Sequence, residues 1–185
     1  MSIMNADELS LILASHRKWL RGEKDGQRAN LAHAELRYAN LPDAELRYAN
    51  LSGANLSDAY LTRADLRDAD LRYANLSGAY LPDADLRYAN LSGANLSGAN
   101  LVDANLSSAK GIWVGPNVDG FTFVAFLRGG EVMILAGCRC FSIDGAREWW
   151  GADHRIEWDH YDNPQKHRDQ CRAAVEYLVT ITSLS

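Results

Sequence analysis

Between residues 29 and 109 one apolar pattern repeats without a break. Leucine returns every fifth residue, at Leu31, Leu36, Leu41, Leu46, Leu51, Leu56, Leu61, Leu66, Leu71, Leu76, Leu81, Leu86, Leu91, Leu96, Leu101 and Leu106, with alanine two positions before each. A helix repeats about every 3.6 residues, so leucines five apart would spiral around it and define no face. A strand repeats every two, and five is odd, so successive leucines would point to opposite sides. A chain that turns once per unit buries them all. In Ala49-Asn50-Leu51 the alanine and leucine share one side of a short extended piece and Asn50 points away. Ser52-Gly53 then turns the chain. When every unit turns in the same sense, all the leucines and alanines face one axis. The pattern predicts an all-β solenoid with a leucine/alanine core and a polar surface.

On either side the period changes. Residues 5–21 predict an amphipathic helix. Asn5 followed by Glu8 makes a capping-box pattern, Leu9, Ile12, Leu13, His16 and Leu20 share a face, and Gly22 is a stop. A solenoid needs its apolar end covered, so this helix is expected to cap the first coil, with Trp19 and Leu20 near it. His16 on the apolar face is expected to be packed and hydrogen-bonded rather than a ligand. At Lys110-Gly111 the leucine period stops, and residues 112–117 read as the exit. Phe121–Leu127 and Val132–Ala136 are β-rich runs around Arg128-Gly-Gly-Glu131, a hairpin, with Gly137 as a bulge. Ser142 caps a short helix that runs to Trp150 and ends at Gly151. Asn163-Pro164 opens a longer one, with Cys171, Ala174, Val175, Leu178 and Ile181 on its apolar face. The expected organisation is a capping helix over 1–28, the repeat domain over 29–110 and a small α+β module, ββαα, over 111–185.

The units Ala-Asn-Leu-Ser-Gly (49–53, 89–93, 94–98) and Ala-Asp-Leu-Arg-Tyr (69–73, 84–88) resemble the pentapeptide repeat family, whose pattern is Ala-(Asp/Asn)-Leu-x-x. The resemblance spans residues 29–108. It implies a right-handed quadrilateral β-helix with four units per coil. Sixteen units would then make about four coils, a rod roughly 19 Å tall at about 4.8 Å per coil. The stretch from His16 to Glu23, leading into Arg28-Ala-Asn-Leu31, resembles the lead-in of bacterial and phage members. Residues 111–185, with Val114-Gly-Pro116 and Ala136-Gly-Cys138, resemble the small C-terminal module that follows the repeats in many of them. That module has no assigned activity to carry over.

Composition narrows the functions. The net charge is −5, and the repeat stretch 29–109 holds ten acids and six bases. With nothing strongly basic, direct nucleic-acid binding is not expected. No run reaches the roughly 18 apolar residues that span a bilayer. Leu9 to Ala14 is too short for a signal peptide and follows Asp7 and Glu8. Three cysteines, an odd number, suit a reducing compartment, so a cytoplasmic protein is expected.

If residues twenty apart stack, the outward positions form columns. One face shows Glu45, Asp65, Asp85 and Asn105 beside Arg47, Arg67, Arg87 and Ser107, acids and bases able to pair. Another stacks Tyr60 over Tyr80, with Asp43, Arg63, Asp83 and Asp103 at its corner. The candidate partner surface is therefore Tyr60, Tyr80, Asp65, Asp85, Arg67 and Arg87, with Trp150 of the aromatic-rich C-terminal module. The bland alternative is a solvated charge ladder. The nine residues Leu-Arg-Tyr-Ala-Asn-Leu-Ser-Gly-Ala recur identically at 46–54, 71–79 and 86–94. Such repetition argues against a catalytic site, which is a unique constellation. Cys138, Cys140 and Cys171 with His154, His160 and His167 match no standard zinc spacing. No Walker loop, dinucleotide fingerprint or nucleophile elbow is present. No catalytic, metal or cofactor residue is expected.

The expected function is a non-enzymatic rod that presents its faces and C-terminal module to an unidentified protein, as a monomer or weak homodimer. The alternative implied by the resemblance is a DNA mimic acting on DNA gyrase, since some family members resemble duplex DNA in size and charge. The short rod, the arginines that dilute its acidity and the uniformly leucine centre count against it. An activity in the C-terminal module is the third reading.

Overall fold

The computed structural model describes residues 4–118, 121–128, 131–136, 139–142, 145, 173–180 and 182. Helix α1 runs Ala6–Leu20. Asn5 accepts the Glu8 N–H at 2.8 Å while Glu8 reaches back to the Asn5 N–H, which completes the expected capping box. Gly22 follows in the left-handed region at φ 72°, as a C′ glycine should. Leu9, Ile12 and Leu13 rest on the leucine core, whereas Trp19 is one-third exposed.

His16 is the residue of α1 that is fully buried. Its Nδ1 accepts the Ala29 N–H at 3.1 Å, and its ring stacks on Trp19 at 5.6 Å. The chain returning from α1 crosses close beneath it. A Cβ on Gly26 would lie 2.1 Å from the Trp19 nitrogen, so only glycine fits the crossing.

From residue 30 the chain is a solenoid. Every backbone bridge is parallel and joins residues twenty apart, from Asn30 with Asn50 to Asn90 with Lys110. All sixteen leucines are buried, and with their alanines they form one continuous apolar cluster.

The unit 50–54 explains the five-residue pattern through its backbone donors. Asn50 N–H reaches back to the Ala29 carbonyl at 3.0 Å. Leu51 and Gly53 donate forward to Asp70 and Arg72, each at 2.8 Å. Ala54 N–H closes a turn on the Leu51 carbonyl at 3.0 Å. Ser52 N–H donates to the Asn50 side chain at 3.2 Å. All five N–H groups are satisfied, the condition for burying irregular backbone. Where asparagine or aspartate precedes the leucine, as at Asn50, Asp65 and Asn95, it is thus a turn acceptor as well as a polar surface residue, while Glu35, Glu45, Tyr60 and Tyr80 hold that place in four other units.

The second residue after each leucine carries positive φ, and the first does not. With the leucine-to-alanine bond this is a type II turn, which also suits Pro42 and Pro82 at its second position. Glycine takes the left-handed place at 53, 78, 93 and 98, but tyrosine, aspartate and arginine take it elsewhere, as at Tyr73, Asp83 and Arg63. Each such residue costs about 1–2 kcal/mol. The N–H it turns toward the next circuit offsets that strain, as in Arg63 to the Pro82 carbonyl at 2.9 Å. At one corner large and small residues alternate, as His33, Gly53, Tyr73 and Gly93. A Cβ on Gly93 would lie 2.6 Å from the Tyr73 ring.

Beyond Gly111 a four-stranded antiparallel meander follows in the order β1–β2–β3–β4: Ile112–Val118, Phe121–Arg128, Glu131–Ala136 and Arg139–Ser142. The expected hairpin is its centre. The exit segment is itself an edge strand, irregular between Val114 and Asn117, where Gly115-Pro116 sits. Proline cannot donate to a ladder and is tolerated at such an edge. Val124, Phe126 and Leu135 extend the leucine cluster. Ala125 and Ile134 on the opposite side are buried too, so both faces of the sheet are covered.

Ser142 Oγ accepts the Gly145 N–H at 3.1 Å, the contact expected of a helix cap. Residues 173–180 are helical, and Ala174, Val175 and Leu178 are buried. Gly137, Gly151, Asn163, Pro164, Cys171 and Ile181 lie outside the described residues.

Candidate functional site

The twenty-residue circuit decides which outward residues meet. Asp65 and Asp85 are bridged neighbours, and so are Tyr60 and Tyr80. On the charged face Arg67 holds Asp65 through two hydrogen bonds, 2.7 and 2.5 Å, and reaches Asp85 at 3.5 Å. Arg87 holds Asp85 at 2.7 Å. At the head of the column, Glu45 faces Arg17 of α1 at 3.7 Å. Burial pushes the Asp65 carboxyl up, but its bonds from Arg67 outweigh this and leave it below the usual carboxylate range. The Arg87 hydrogen bonds lower Asp85 likewise. Asp65, Arg67, Asp85 and Arg87 have thus spent their charge on one another, while Arg47 lies over the Tyr48 ring at 5.4 Å.

The tyrosine face differs. Tyr60 and Tyr80 meet edge to face at 6.3 Å and stay 54% and 43% exposed. Both stand where other units place asparagine or aspartate. Tyr80 can do so because the residue needing that acceptor is Pro82, which has no N–H. Pro42, Thr62, Pro82 and Val102 run beside them, and the corner column Asp43, Arg63, Asp83, Asp103 borders them.

Four further tyrosines, Tyr38, Tyr48, Tyr73 and Tyr88, are also exposed. The sequence pattern did not single them out. Their signal was present as bulky residues at the glycine place of the turn, where the side chain is thrown outward. Between α1 and the first circuit lies a groove of about 470 Å³ lined by Leu9, Leu13, Arg17, Leu36, Tyr38 and Asn40 among others. It opens at the head of the tyrosine column.

Trp149, Trp150, Trp158, Tyr161, Cys138, His154, His160 and His167 lie outside the described residues, as does the Cys140 side chain. Tyr177 is half-exposed. Among the described residues no group of histidine, cysteine, aspartate and glutamate could hold a metal ion, and no helix is long and apolar enough to cross a membrane.

A protein-family model described as pentapeptide repeats matches residues 27–63, 49–87 and 80–110, in eight copies. Among solved structures, alr5209, a pentapeptide repeat protein from Nostoc Pcc 7120, is 41% identical over 52% of this chain and 71% of its own, with a TM-score of 0.39. Rfr23, a pentapeptide repeat protein from the cyanobacterium Cyanothece 51142, is 38% identical over 44% and 55%, with a TM-score of 0.25. A pentapeptide repeat protein of the Arabidopsis thaliana thylakoid lumen is 42% identical over 32% and 45%, with a TM-score of 0.19. No curated protein matches.

Proposed function

Since this chain belongs, through residues 27–110, to the pentapeptide repeat family, whose fold is a right-handed β-helix-like solenoid, we propose that it is a non-enzymatic protein-interaction module. A rigid rod of about four coils, capped by α1 and followed by the C-terminal module, presents one face to a protein partner. The family is generally structural rather than enzymatic.

One observation carries the reading, the unequal use of the faces. The Asp65, Arg67, Asp85, Arg87 face pairs its charges internally, and exposed pairs of that kind contribute little to binding. The Tyr60–Tyr80 face leaves two adjacent aromatic rings open, and tyrosine is an enriched anchor in protein interfaces. A rigid backbone adds to affinity, because no loop has to be ordered on docking. The C-terminal module, Trp150 included, is a second candidate for contact, and a cytoplasmic monomer or weak dimer is the state we assign.

The test is capture of partners from bacterial lysate on the full chain, beside a Tyr60→Ala/Tyr80→Ala variant and a Tyr73→Ala control. A partner kept by the control and lost by the double variant supports this reading. Gyrase subunits retained by every variant would favour the DNA-mimic alternative. A chain that captures nothing above background would overturn the proposal.

A further inference from the structure

The corner column beside the tyrosines reads Asp43, Arg63, Asp83, Asp103, each residue twenty from the last. All four share one backbone state, with positive φ of 54 to 58°. Asp43, Arg63 and Asp83 donate their N–H groups to Thr62, Pro82 and Val102 of the next circuit. The first step of the column is filled from within. Arg63 grips Asp43 with two hydrogen bonds, 2.8 and 2.7 Å, and its charge is favoured further by Asp83.

The step from Asp83 to Asp103 repeats that geometry without a guanidinium. Both carboxylates are exposed, and among the described residues neither lies within ion-pair distance of a base. Stacked like charges are unfavourable and call for a cation. The repeats hold little to spare. Arg37, Arg63, Arg67, Arg72 and Arg87 are each engaged with an aspartate elsewhere.

Beside this step lie the exposed Tyr80 ring, with the exposed Tyr60 ring one circuit before it, and the half-buried Pro82 and Val102. The surface is thus aromatic and aliphatic on one side and doubly anionic on the other. A planar fork suits two carboxylates one coil apart, roughly 4.8 Å. A guanidinium also stacks on tyrosine better than an ammonium does.

We propose that the face made by Tyr60, Tyr80, Pro82, Asp83, Val102 and Asp103 docks an arginine-bearing segment of a partner protein, its guanidinium seated between Asp83 and Asp103 as that of Arg63 is seated on Asp43. The inference rests on the rod being a protein-interaction module, and names the face and the partner's chemistry.

The experiment uses the full chain. Fluorescence anisotropy follows a labelled hexapeptide, Gly-Arg-Leu-Gly-Arg-Leu, and versions with lysine or glutamate in place of arginine. Saturable binding is expected for arginine, weaker binding for lysine and none for glutamate. Asp103→Arg supplies the missing guanidinium from within and is expected to weaken binding about tenfold or more, as is Tyr80→Ala. Arg63 already occupies this corner, so an arginine there is compatible with the fold, and Asp103→Asn provides a gentler second variant. Arginine-peptide binding unchanged in both Asp103 variants, or equal binding of the glutamate peptide, would overturn the proposal. In the lysate capture described above, a partner lost by Asp103→Arg supports it. A partner captured equally by the parent chain and Asp103→Arg overturns this docking face and leaves the interaction reading standing. A parent chain that captures nothing overturns both.

Discussion

Replacing His16 by phenylalanine would separate two things the imidazole does. The native ring fills a buried site against Trp19, and its Nδ1 accepts the Ala29 N–H at 3.1 Å. Nδ1 can accept only when it carries no proton, so the ring is neutral with its hydrogen on Nε2. Phenylalanine keeps the apolar body and the stack, and removes both the acceptor and the Nε2–H, a buried donor with no hydrogen-bond partner among the described residues. The Ala29 N–H is then buried unpaired, at a cost of about 1–3 kcal/mol. This is the joint between the capping helix and the first circuit, so local opening there should rise roughly five- to 150-fold.

The assay is hydrogen exchange of the Ala29 amide. The Leu66 amide, bonded to the Asp85 carbonyl at 2.8 Å, serves as an internal reference. Acid gives a second readout. Burial holds the His16 pKa below its ordinary 6.5, helped by the charges of Arg28 and Arg47 and opposed by the Arg47 carbonyl and Glu45. A group depressed in the folded state contributes its full stability above the unfolded value. Below about pH 6.5 the unfolded chain binds the proton first, and stability falls until the folded pKa is passed. The native chain should therefore lose stability from pH 6.5 downward more steeply than His16→Phe. Equal Ala29 exchange in the two chains at pH 7.5, or superimposable stability profiles below pH 6.5, would refute this account.

Leu66→Lys places a charge at a fully buried position in the middle of the rod and should prevent folding. A soluble variant with a cooperative thermal transition would contradict the inward assignment. Gly93→Ala should destabilise by about 1–2 kcal/mol from its left-handed backbone alone, with an added clash against Tyr73. Adding Tyr73→Ala should recover only the clash component in a denaturant titration. Arginine hydrogen bonds hold Asp43, Asp70 and Asp85 below their usual 3.8, so their contribution is complete above that value and is lost as pH falls below it. Acid unfolding below about pH 3.8 should be less salt-sensitive in an Asp43→Asn/Arg63→Gln variant, and an unchanged salt dependence would count against these pairs.

The five-residue period was legible because it is covalent and local. No helix or flat strand can bury leucines at that spacing, and all sixteen are buried. The capping box was legible for the same reason, since its two contacts lie three residues apart. The column partners, and the pairing of acids with bases along one face, followed only once a circuit of twenty residues was assumed from the family resemblance. The period alone does not set how many units close a turn. Other features were decided by tertiary structure. Residues 112–117 read as an exit became an edge strand, because an adjacent strand offered its free backbone a partner. His16 found its acceptor role thirteen residues away at Ala29. Tyrosines entered left-handed turns that sequence would assign to glycine, because the next circuit satisfies the N–H they present. The contrast between a face that pairs Asp65, Arg67, Asp85 and Arg87 and a corner that brings Asp83 next to Asp103 depends on which circuits stack, and local spacing carries no record of that closure.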